Sequence, residues 1–467
     1  MKHAHKIATI LFFAFAAASF AKAAGPHVSF PGGKCWVFRL ALTDKKGTPY
    51  SIDKPEKYLS KKAIERRQRQ HLGIDSTDLP INPAYIKRID AAGLKVVGKS
   101  KWNNTVLVRL ADSAKISIAA KLPFVKSAKL VFTSPDSIFE SERANIEPDT
   151  TTASTTHLYG DAEAQIKTLN GIRLHDAGFR GKGMTIAIID GGYMNADRIS
   201  LLKNVKINGT RNFTCFETKG VFDELDHGTA VLSCIGANQP GRIVGTAPEA
   251  SFWLLRSEYG PTESEIEEDF WSAAAEFADS VGVDVINSSL GYNEFDDAST
   301  SHTYRQLDGH TAIISCTASL LAQKGIVLTN SAGNEGGKTW KKIGVPADAC
   351  DIITVGAMDR DSVNTTFSSV GPSADGRVKP DVMAVGSYCT LIKGNGRITH
   401  ANGTSFSSPV TCGMVACLWQ AFPNLTALQI IDVVRRSADR YDHPDNIYGY
   451  GIPDFWKAYQ IAKSISE

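Results

Sequence analysis

The chain has 467 residues, of which 43% are hydrophobic and 21% charged, so a well-buried globular protein of two or three folding units is expected. Its net charge of +2 at pH 7 argues against nucleic acid and against a charged membrane surface as partners.

The first 23 residues have the pattern of a secretory signal peptide. Lys2 and Lys6 precede an apolar run over residues 7–20, and small residues at Ala21 and Ala23 then suit a cleavage site. The run is shorter than the ~20 residues that cross a bilayer, and no later segment is long and apolar enough to do so. We therefore predict that residues 1–23 are removed, that the protein is secreted to the periplasm or the extracellular space, and that it has no membrane partner.

Residues 25–132 are predicted to form a small α+β domain. Strand patterns at 35–42, 94–100, 105–110 and 125–132 are interspersed with helical patterns at 59–70, 84–93 and 112–121. This order approximates the ferredoxin-like arrangement with one extra helix. Residues 133–158 are polar, acidic and rich in Thr and Ser, which indicates an exposed linker where a maturation cleavage is expected.

Charge is divided unevenly along the chain. Residues 34–132 carry 21 Lys and Arg against 8 Asp and Glu, whereas residues 159–467 carry 26 against 36. Opposite charges favour docking of the two units, although chance surface composition would give the same asymmetry. The eight cysteines lack metal-ligand spacing, so no zinc site is expected. Export permits disulfides, whose connectivity stays open.

Residues 159–467 are predicted to form an α/β domain. Five short runs are apolar on both faces, at 184–190, 250–257, 283–291, 325–333 and 352–358, and helical segments such as 267–282 lie between them. Strands of this kind are buried on both sides, which indicates a parallel sheet covered by helices on both faces.

Four polar residues stand at the ends of apolar strands or before helical segments. They are Asp190 in IAIIDGG, His227 in DHGTAV, Asn334 in NSAGNEG and Ser405 in NGTSFSSP. Each has an ordinary explanation as a cap, turn or structural residue. Together they offer a carboxylate, a base, an amide donor and a nucleophile at one edge of a parallel sheet, a combination that chance explains poorly.

These motifs, with SSLG at 288–291, resemble those of the subtilisin-like serine proteases, the subtilase family, in the chain order Asp, His, Ser. The resemblance covers residues 159–467 and implies a subtilisin-like fold and a serine endopeptidase that cleaves polypeptides through an acyl-enzyme. The upstream domain is similar to the inhibitory propeptide of that family, which implies an autoinhibited precursor with its own propeptide as an intramolecular inhibitor. The chain departs from the common GTSMA pattern at Phe406 and Ser407, and residues 292–310 form a longer segment; both bear on substrate preference.

The resemblance also implies a role for each site residue. Ser405 is expected to be the nucleophile, His227 the general base and Asp190 the carboxylate that orients it. Asn334 is expected to donate to the oxyanion beside the Ser405 backbone N–H. The other hydroxyls of the motif are expected to act as turn and cap groups; they belong to Thr404, Ser407 and Ser408. Substrate binding is assigned to Ser289, Leu290, Gly291, Ala332 and Gly333.

Several alternatives remain open. The acidic residues at 257–269 have two explanations. They indicate a preference for basic substrate residues upstream of the cut, or they only stabilise the N-terminus of the next helix. The domain 34–132 is either removed after cleavage or kept as an accessory domain. No cofactor is expected to be required and no metal ligand set is evident, with structural calcium left unassigned, and a monomer is expected. The alternative functions are a non-catalytic binding protein on a subtilase scaffold and another acyl transfer, such as ester hydrolysis or peptide ligation.

Overall fold

The computed structural model describes residues 27–140, 142–148, 150, 152–216 and 219–467. The predicted signal peptide, residues 1–23, lies outside the described residues. None of the helices in the described part of the chain combines the length and the apolar character needed to cross a bilayer.

Among its described residues, from His27 onward, the N-terminal part of the chain contains six strands and two α-helices. They are β1 (His27–Ser29), β2 (Trp36–Leu42), α1 (Lys61–Arg69), α2 (Pro83–Ala91), β3 (Lys95–Ser100), β4 (Thr105–Leu110), β5 (Val125–Thr133) and β6 (Ser137–Phe139). Four strands form an antiparallel sheet in the order β3-β4-β2-β5, and β1 pairs separately with β6. We call residues 34–132, which contain this sheet except for its last residue, Thr133, the N-terminal domain.

The N-terminal domain departs from the sequence-based expectation in one element. Residues Ser113–Lys121 form a 3-10 helix rather than an α-helix, and Asp112 caps its start by accepting from the Ala114 N–H. Two Ser and two Ile residues in this short segment have modest helix propensity, which favours the tighter, less regular turns.

The remainder of the chain contains eleven strands and eight α-helices among its described residues. They are α3 (Glu163–Lys167), α4 (Ile172–Asp176), β7 (Thr185–Asp190), β8 (Lys206–Asn212), α5 (His227–Gly236), β9 (Asn238–Gln239), β10 (Ile243–Val244), β11 (Ser251–Arg256), α6 (Ile266–Val281), β12 (Val285–Ser288), α7 (Ile313–Leu320), β13 (Val327–Ser331), β14 (Ile353–Met358), β15 (Val382–Val385), β16 (Cys389–Ile392), β17 (Ile398–Ala401), α8 (Thr404–Ala421), α9 (Ala427–Ser437) and α10 (Phe455–Ser466). We call residues 159–467 the C-terminal unit.

Seven parallel strands form the central sheet of the C-terminal unit, in the order β15-β14-β13-β12-β7-β11-β8. This confirms the predicted parallel sheet and adds the two edge strands, β8 and β15. From β7 the chain moves to β8 and β11 on one side, and from β12 it moves to β13, β14 and β15 on the other. A topological switch point therefore lies between β7 and β12, where parallel sheets open a crevice at the carboxyl ends of their strands.

Helices cover both faces of this sheet, as strand β7 illustrates. Its residues Ile186 and Ile188 belong to one apolar cluster, which includes residues of α5 and α8. The intervening Ala187 and Ile189 belong to a second cluster, which includes Trp271 of α6. Alternate side chains of one strand thus enter two different cores, so that its four central residues, 186–189, are all apolar.

The N-terminal domain packs on the outer side of α6. Arg39 of β2 donates to Asp269 at 2.7 Å and to Glu265 at 3.0 Å, and Glu276 accepts from the backbone N–H groups of Lys101 and Trp102. The opposite charges of the two units therefore meet at their interface, as expected from the uneven charge distribution.

Candidate active site

The four polar residues singled out in the sequence lie at the carboxyl edge of the central sheet. Asp190 is the last residue of β7, and His227 is the first residue of α5. Ser405 is the second residue of α8, and Asn334 follows β13 by three residues. His227, Asn334 and Ser405 line one cleft, and Asp190 is buried beneath it beside the imidazole.

Asp190 and His227 form a hydrogen-bonded pair. His227 Nδ1 lies 2.8 Å from Asp190 Oδ1, which also accepts from the Gly191 N–H at 2.8 Å. Because an ionised carboxylate only accepts, Nδ1 carries the proton and Nε2 is left as the basic nitrogen. Burial lowers the pKa of His227, but the Asp190 charge and hydrogen bond outweigh burial and leave this pKa above its usual value.

Ser405 lies where the chain turns into α8. The preceding Gly403 has φ +154° and ψ +146°, a conformation that residues with a Cβ rarely adopt. Ser405 Oγ lies 3.4 Å from the Ser289 carbonyl oxygen, and Ser289 Oγ donates in return to the Ser405 carbonyl at 2.8 Å. These contacts join the start of α8 to the segment after β12, which was predicted to bind substrate.

The orientation of Asn334 follows from its hydrogen bonds. The Thr404 N–H donates to Asn334 Oδ1 at 2.9 Å, and the Thr404 hydroxyl donates to the same oxygen at 3.1 Å. Backbone N–H groups donate only, so these bonds identify the side-chain oxygen and turn the Nδ2 donor away from Thr404. The Thr404 hydroxyl also accepts from the Gly333 N–H at 3.2 Å.

Thr404 is thus a positioning residue that the sequence analysis regarded as a turn hydroxyl. A Thr directly before a nucleophilic Ser gives no local sign that it will contact a loop 70 residues earlier in the chain. The other two hydroxyls of the motif have structural partners. Ser407 Oγ donates to the Thr404 carbonyl at 3.0 Å, and Ser408 Oγ donates to Asn287 Oδ1 at 2.9 Å.

The five residues predicted to bind substrate all line the cleft that contains Ser405; they are Ser289, Leu290, Gly291, Ala332 and Gly333. Gly333 has φ +105°, and a Cβ there would lie 2.8 Å from Ser369 Oγ, so the position requires glycine. Further residues line the same cleft. Glu258 and Glu263 belong to the acidic segment 257–269, and Tyr292 begins the longer segment 292–310, both of which the sequence linked to substrate preference; Glu335 was not predicted.

The acidic segment 257–269 divides between two surroundings. Glu258 and Glu263 line the cleft. Glu265 and Asp269 bind Arg39 of the N-terminal domain, and Glu268 lies 2.5 Å from His302 Nε2. The segment therefore does more than favour the start of α6, and only two of its carboxylates border the space where substrate would lie.

Glu258, Glu263 and Glu267 have carboxylate oxygens within 4.8 Å of one another, a grouping that could hold a metal ion. Calcium takes six to eight oxygen ligands. Here Glu258 already accepts from the Tyr292 hydroxyl, and Glu267 accepts from the N–H groups of Tyr259 and Ser264. Burial raises the pKa of Glu258 to about 7 and raises those of Glu263 and Glu267 as well. Protonation or a bound cation would each relieve the repulsion among these groups, and a structural calcium remains unassigned.

Comparison with known proteins gives matches for both parts of the chain. Residues 181–451 match the Subtilase family (Peptidase S8), and residues 34–147 match the Peptidase S8 propeptide domain of Bacteroidota. The chain is 28% identical over 290 residues to subtilisin NAT of Bacillus subtilis subsp. natto, covering 62% of this chain and 68% of the relative. It is 30% identical over 271 residues to subtilisin DY of Bacillus licheniformis, covering 57% of this chain and 87% of the relative.

A solved structure extends the likeness to nearly the whole chain. The crystal structure of the epidermin leader peptide processing serine protease from Staphylococcus aureus superposes with a TM-score of 0.63, covering 92% of this chain and 99% of that one. At 18% sequence identity this similarity concerns the fold alone.

Proposed function

The chain belongs to the subtilase family of serine peptidases, and from this premise we propose that it is an endopeptidase that cleaves polypeptides through Asp190, His227 and Ser405. The observation that carries the proposal is the 2.8 Å contact between Asp190 and His227 at the cleft that also contains Ser405. A hydroxyl is a weak nucleophile by itself and needs a neighbouring base, which a neutral imidazole supplies.

The reaction proceeds in two halves. Ser405 Oγ attacks the scissile carbonyl carbon while His227 Nε2 takes the hydroxyl proton, and the imidazolium then gives that proton to the leaving amine. Water, deprotonated by the same imidazole, releases the acyl group from Ser405. Asp190 keeps Nδ1 protonated and stabilises the imidazolium that forms between these transfers.

The developing oxyanion receives two donors. One is Asn334 Nδ2, which Thr404 turns away from itself by binding the amide oxygen. The other is the Ser405 backbone N–H in the first turn of α8, where N–H groups lack intrahelical partners. The Thr404 N–H donates to Asn334 Oδ1, and the Phe406 N–H donates to the Gly403 carbonyl. No group of the described residues accepts a hydrogen bond from the Ser405 N–H.

The substrate is an extended polypeptide. Ser289 to Gly291 on one side and Ala332 with Gly333 on the other leave room for a peptide backbone in the cleft. Backbone pairing of this kind gives affinity without demanding one sequence, and side-chain pockets then add selectivity.

The protease is secreted and is synthesised as an inactive precursor, with residues 25–132 and the linker 133–158 as its inhibitory part. The N-terminal sequence pattern supports secretion, and the propeptide match supports the precursor. The intact precursor should process itself, whereas a Ser405→Ala precursor should remain one chain under the same conditions. Equal processing of both chains would contradict the proposal.

Other functions predict different results. A non-catalytic binding protein would leave Ser405 unlabelled by a fluorophosphonate, which reacts only with an activated serine. An enzyme for ester hydrolysis or peptide ligation would label Ser405 but fail to hydrolyse casein.

A further inference from the structure

Two of the eight cysteines, Cys316 and Cys350, lie on one side of the C-terminal unit where a dissolved reagent can reach them. Five of the other cysteines are buried, and Cys215, which is half-buried like this pair, packs with Cys35 in an apolar cluster. Cys316 lies on α7, and Cys350 lies in the loop before β14. Both side chains are thiols in this structure.

Both sulfur atoms contact one residue, His310. Cys316 Sγ lies 2.7 Å from the His310 carbonyl oxygen, and Cys350 Sγ lies 3.5 Å from His310 Nε2. The neighbouring Gly309 also lies against this group, since a Cβ there would be 3.1 Å from Cys350 Sγ. The loop at residues 308–311 therefore contacts both thiols.

Hydrogen bonds hold Cys350 against the helix that carries Cys316. The Cys350 N–H donates to Ser319 Oγ at 2.9 Å, and the Ser315 hydroxyl donates to Asp348 Oδ1 at 2.6 Å. Ser319 lies three residues after Cys316, and side chains at that spacing are neighbours on a helix surface. Segments packed in this way can bring two α-carbons within the ~7 Å that a disulfide requires.

Further hydrogen bonds fix the loops on either side of the pair. The Gly309 N–H donates to Asp348 Oδ2 at 2.7 Å, and Ser319 Oγ donates to the Gly309 carbonyl at 2.9 Å. Arg377 Nη1 donates to the Ala349 carbonyl at 3.1 Å. Because the backbone is held at both cysteines, a bond between the sulfurs would form by rotation of the two side chains and would leave the loops in place.

The segment between the two cysteines carries part of the candidate active site. Residues 317–349 include β13, Gly333 of the cleft and Asn334, the proposed oxyanion donor. A bond between Cys316 and Cys350 would close this segment into a loop and reduce the number of its unfolded conformations. The stabilisation that such a bond provides grows with the length of the loop.

From these observations we propose that Cys316 and Cys350 form a disulfide that closes the loop containing Asn334. One of the two cysteines, as a thiolate, attacks a small-molecule disulfide such as oxidised glutathione, forms a mixed disulfide and releases one thiol. The other cysteine then attacks the mixed disulfide and releases the second thiol. The two cysteines together lose two electrons and two protons, and the oxidant is reduced to two thiols. The proposed secretion decides only where the protein meets an oxidant, and the bond itself does not depend on protease activity.

The bond is tested in the Ser405→Ala full chain, so that the proposed protease cannot digest it. The reduced protein is incubated with oxidised glutathione, denatured without reductant, blocked with N-ethylmaleimide and digested with trypsin. Cleavage after Lys and Arg places the two cysteines in separate peptides, residues 306–324 and 343–360, neither of which contains another cysteine. Mass spectrometry should find these peptides joined and lighter than their sum by two hydrogen atoms.

Other states of the two peptides would count against the bond. Maleimide on both cysteines, glutathione left on either of them, or a link to a different cysteine would overturn the proposal. Failure of a fluorophosphonate to label Ser405 in the unaltered chain would refute the protease function and would leave the joined peptides unaffected.

A variant series measures what the bond contributes to stability. Oxidation should raise the melting temperature of the Ser405→Ala chain, and Cys316→Ser and Cys350→Ser should each reduce that rise by about 5–10 °C. The double serine variant should lose no more than either single variant, because the bond needs both sulfurs. Cys412→Ala, at a buried position on α8, is the control and should keep the full rise. An equal rise in the parent chain and in both serine variants would contradict the proposed bond.

Discussion

Replacing Thr404 with Val tests whether the orientation of the Asn334 amide matters for catalysis, because Asn334 itself stays in the site. The change removes the hydroxyl that donates to Asn334 Oδ1 at 3.1 Å and accepts from Gly333 N–H at 3.2 Å, and it keeps the β-branched shape. The Thr404 N–H still binds the amide oxygen at 2.9 Å. One buried hydrogen bond contributes about 0.5–1.5 kcal/mol, and the hydroxyl makes two.

We therefore expect kcat to fall about tenfold, with little change in KM, because the misdirected amide affects the oxyanion and not the bound substrate. Removal of such a donor costs about 10²–10³ in kcat in subtilisin, so the Thr404→Val loss should remain below that of Asn334→Ala. Both are measured by steady-state hydrolysis of a chromogenic peptide.

A double-mutant cycle provides the sharper test of this reasoning. If Thr404 acts through Asn334, then Thr404→Val should cost little in the Asn334→Ala background. Thr411→Val, on the same helix, is the matched control, because that hydroxyl only donates to the Ser407 carbonyl at 3.1 Å. Additive losses in the double variant, or an equal loss for Thr411→Val, would refute the positioning role.

Further predictions concern pH, specificity and metal. Asp190 holds the pKa of His227 above 6.5, and only the neutral imidazole acts as a base. We therefore expect kcat/KM to increase with pH and to reach half of its maximum at a pH above 6.5. Asp190→Asn should lower kcat by about 10⁴ and move that midpoint to lower pH; a midpoint that stayed in place would contradict this account. Because burial and the neighbouring Glu258 and Asp296 raise the pKa of Glu263, its charge should favour Lys or Arg over Ala upstream of the cut only at alkaline pH. In a peptide library this preference should increase between about pH 7 and pH 9, by up to about fivefold, and Glu263→Gln should abolish the increase. Glu335→Gln is the control, since Glu335 pairs with Lys338 at 3.0 Å, and the same profile for both variants would exclude Glu263 as a determinant. Dialysis against EDTA should leave casein hydrolysis unchanged, and a loss restored by calcium would reveal a required metal ion.

The sequence predicted those strands of the fold whose apolar pattern matches their burial in the sheet. Strand β7 is apolar from Ile186 to Ile189 because both of its faces are buried, so the sequence indicated both that it is a strand and where it ends. Strand β8, Lys206–Asn212, was missed because it is an edge strand in which Ile207 is the one aliphatic residue. Its place depends on pairing with β11, which the local sequence does not encode.

In the candidate site, too, the sequence predicted the residues that belong to local motifs and missed contacts between distant segments. Asp190, His227, Asn334 and Ser405 occur in motifs at strand ends and helix starts, where reactive groups gather in parallel sheets. Thr404 contacts Asn334, 70 residues earlier in the chain, and no periodicity reveals such a contact. Glu263 belongs to the acidic segment 257–269 that the sequence singled out, but only the fold shows that it lines the cleft. Arg66 and Arg67 resemble solvated basic residues on a short helix, yet the Asp279 carboxylate, more than 200 residues later, allows their burial.

The most direct test of the central claim is the mass of the Ser405 peptide after treatment with a fluorophosphonate. A hydroxyl activated by the Asp190–His227 pair should gain one phosphonyl group, and His227→Ala should abolish that gain in a protein that remains folded by circular dichroism. Labelling at another serine, or equal labelling of Ser405 with and without His227, would contradict the proposed triad.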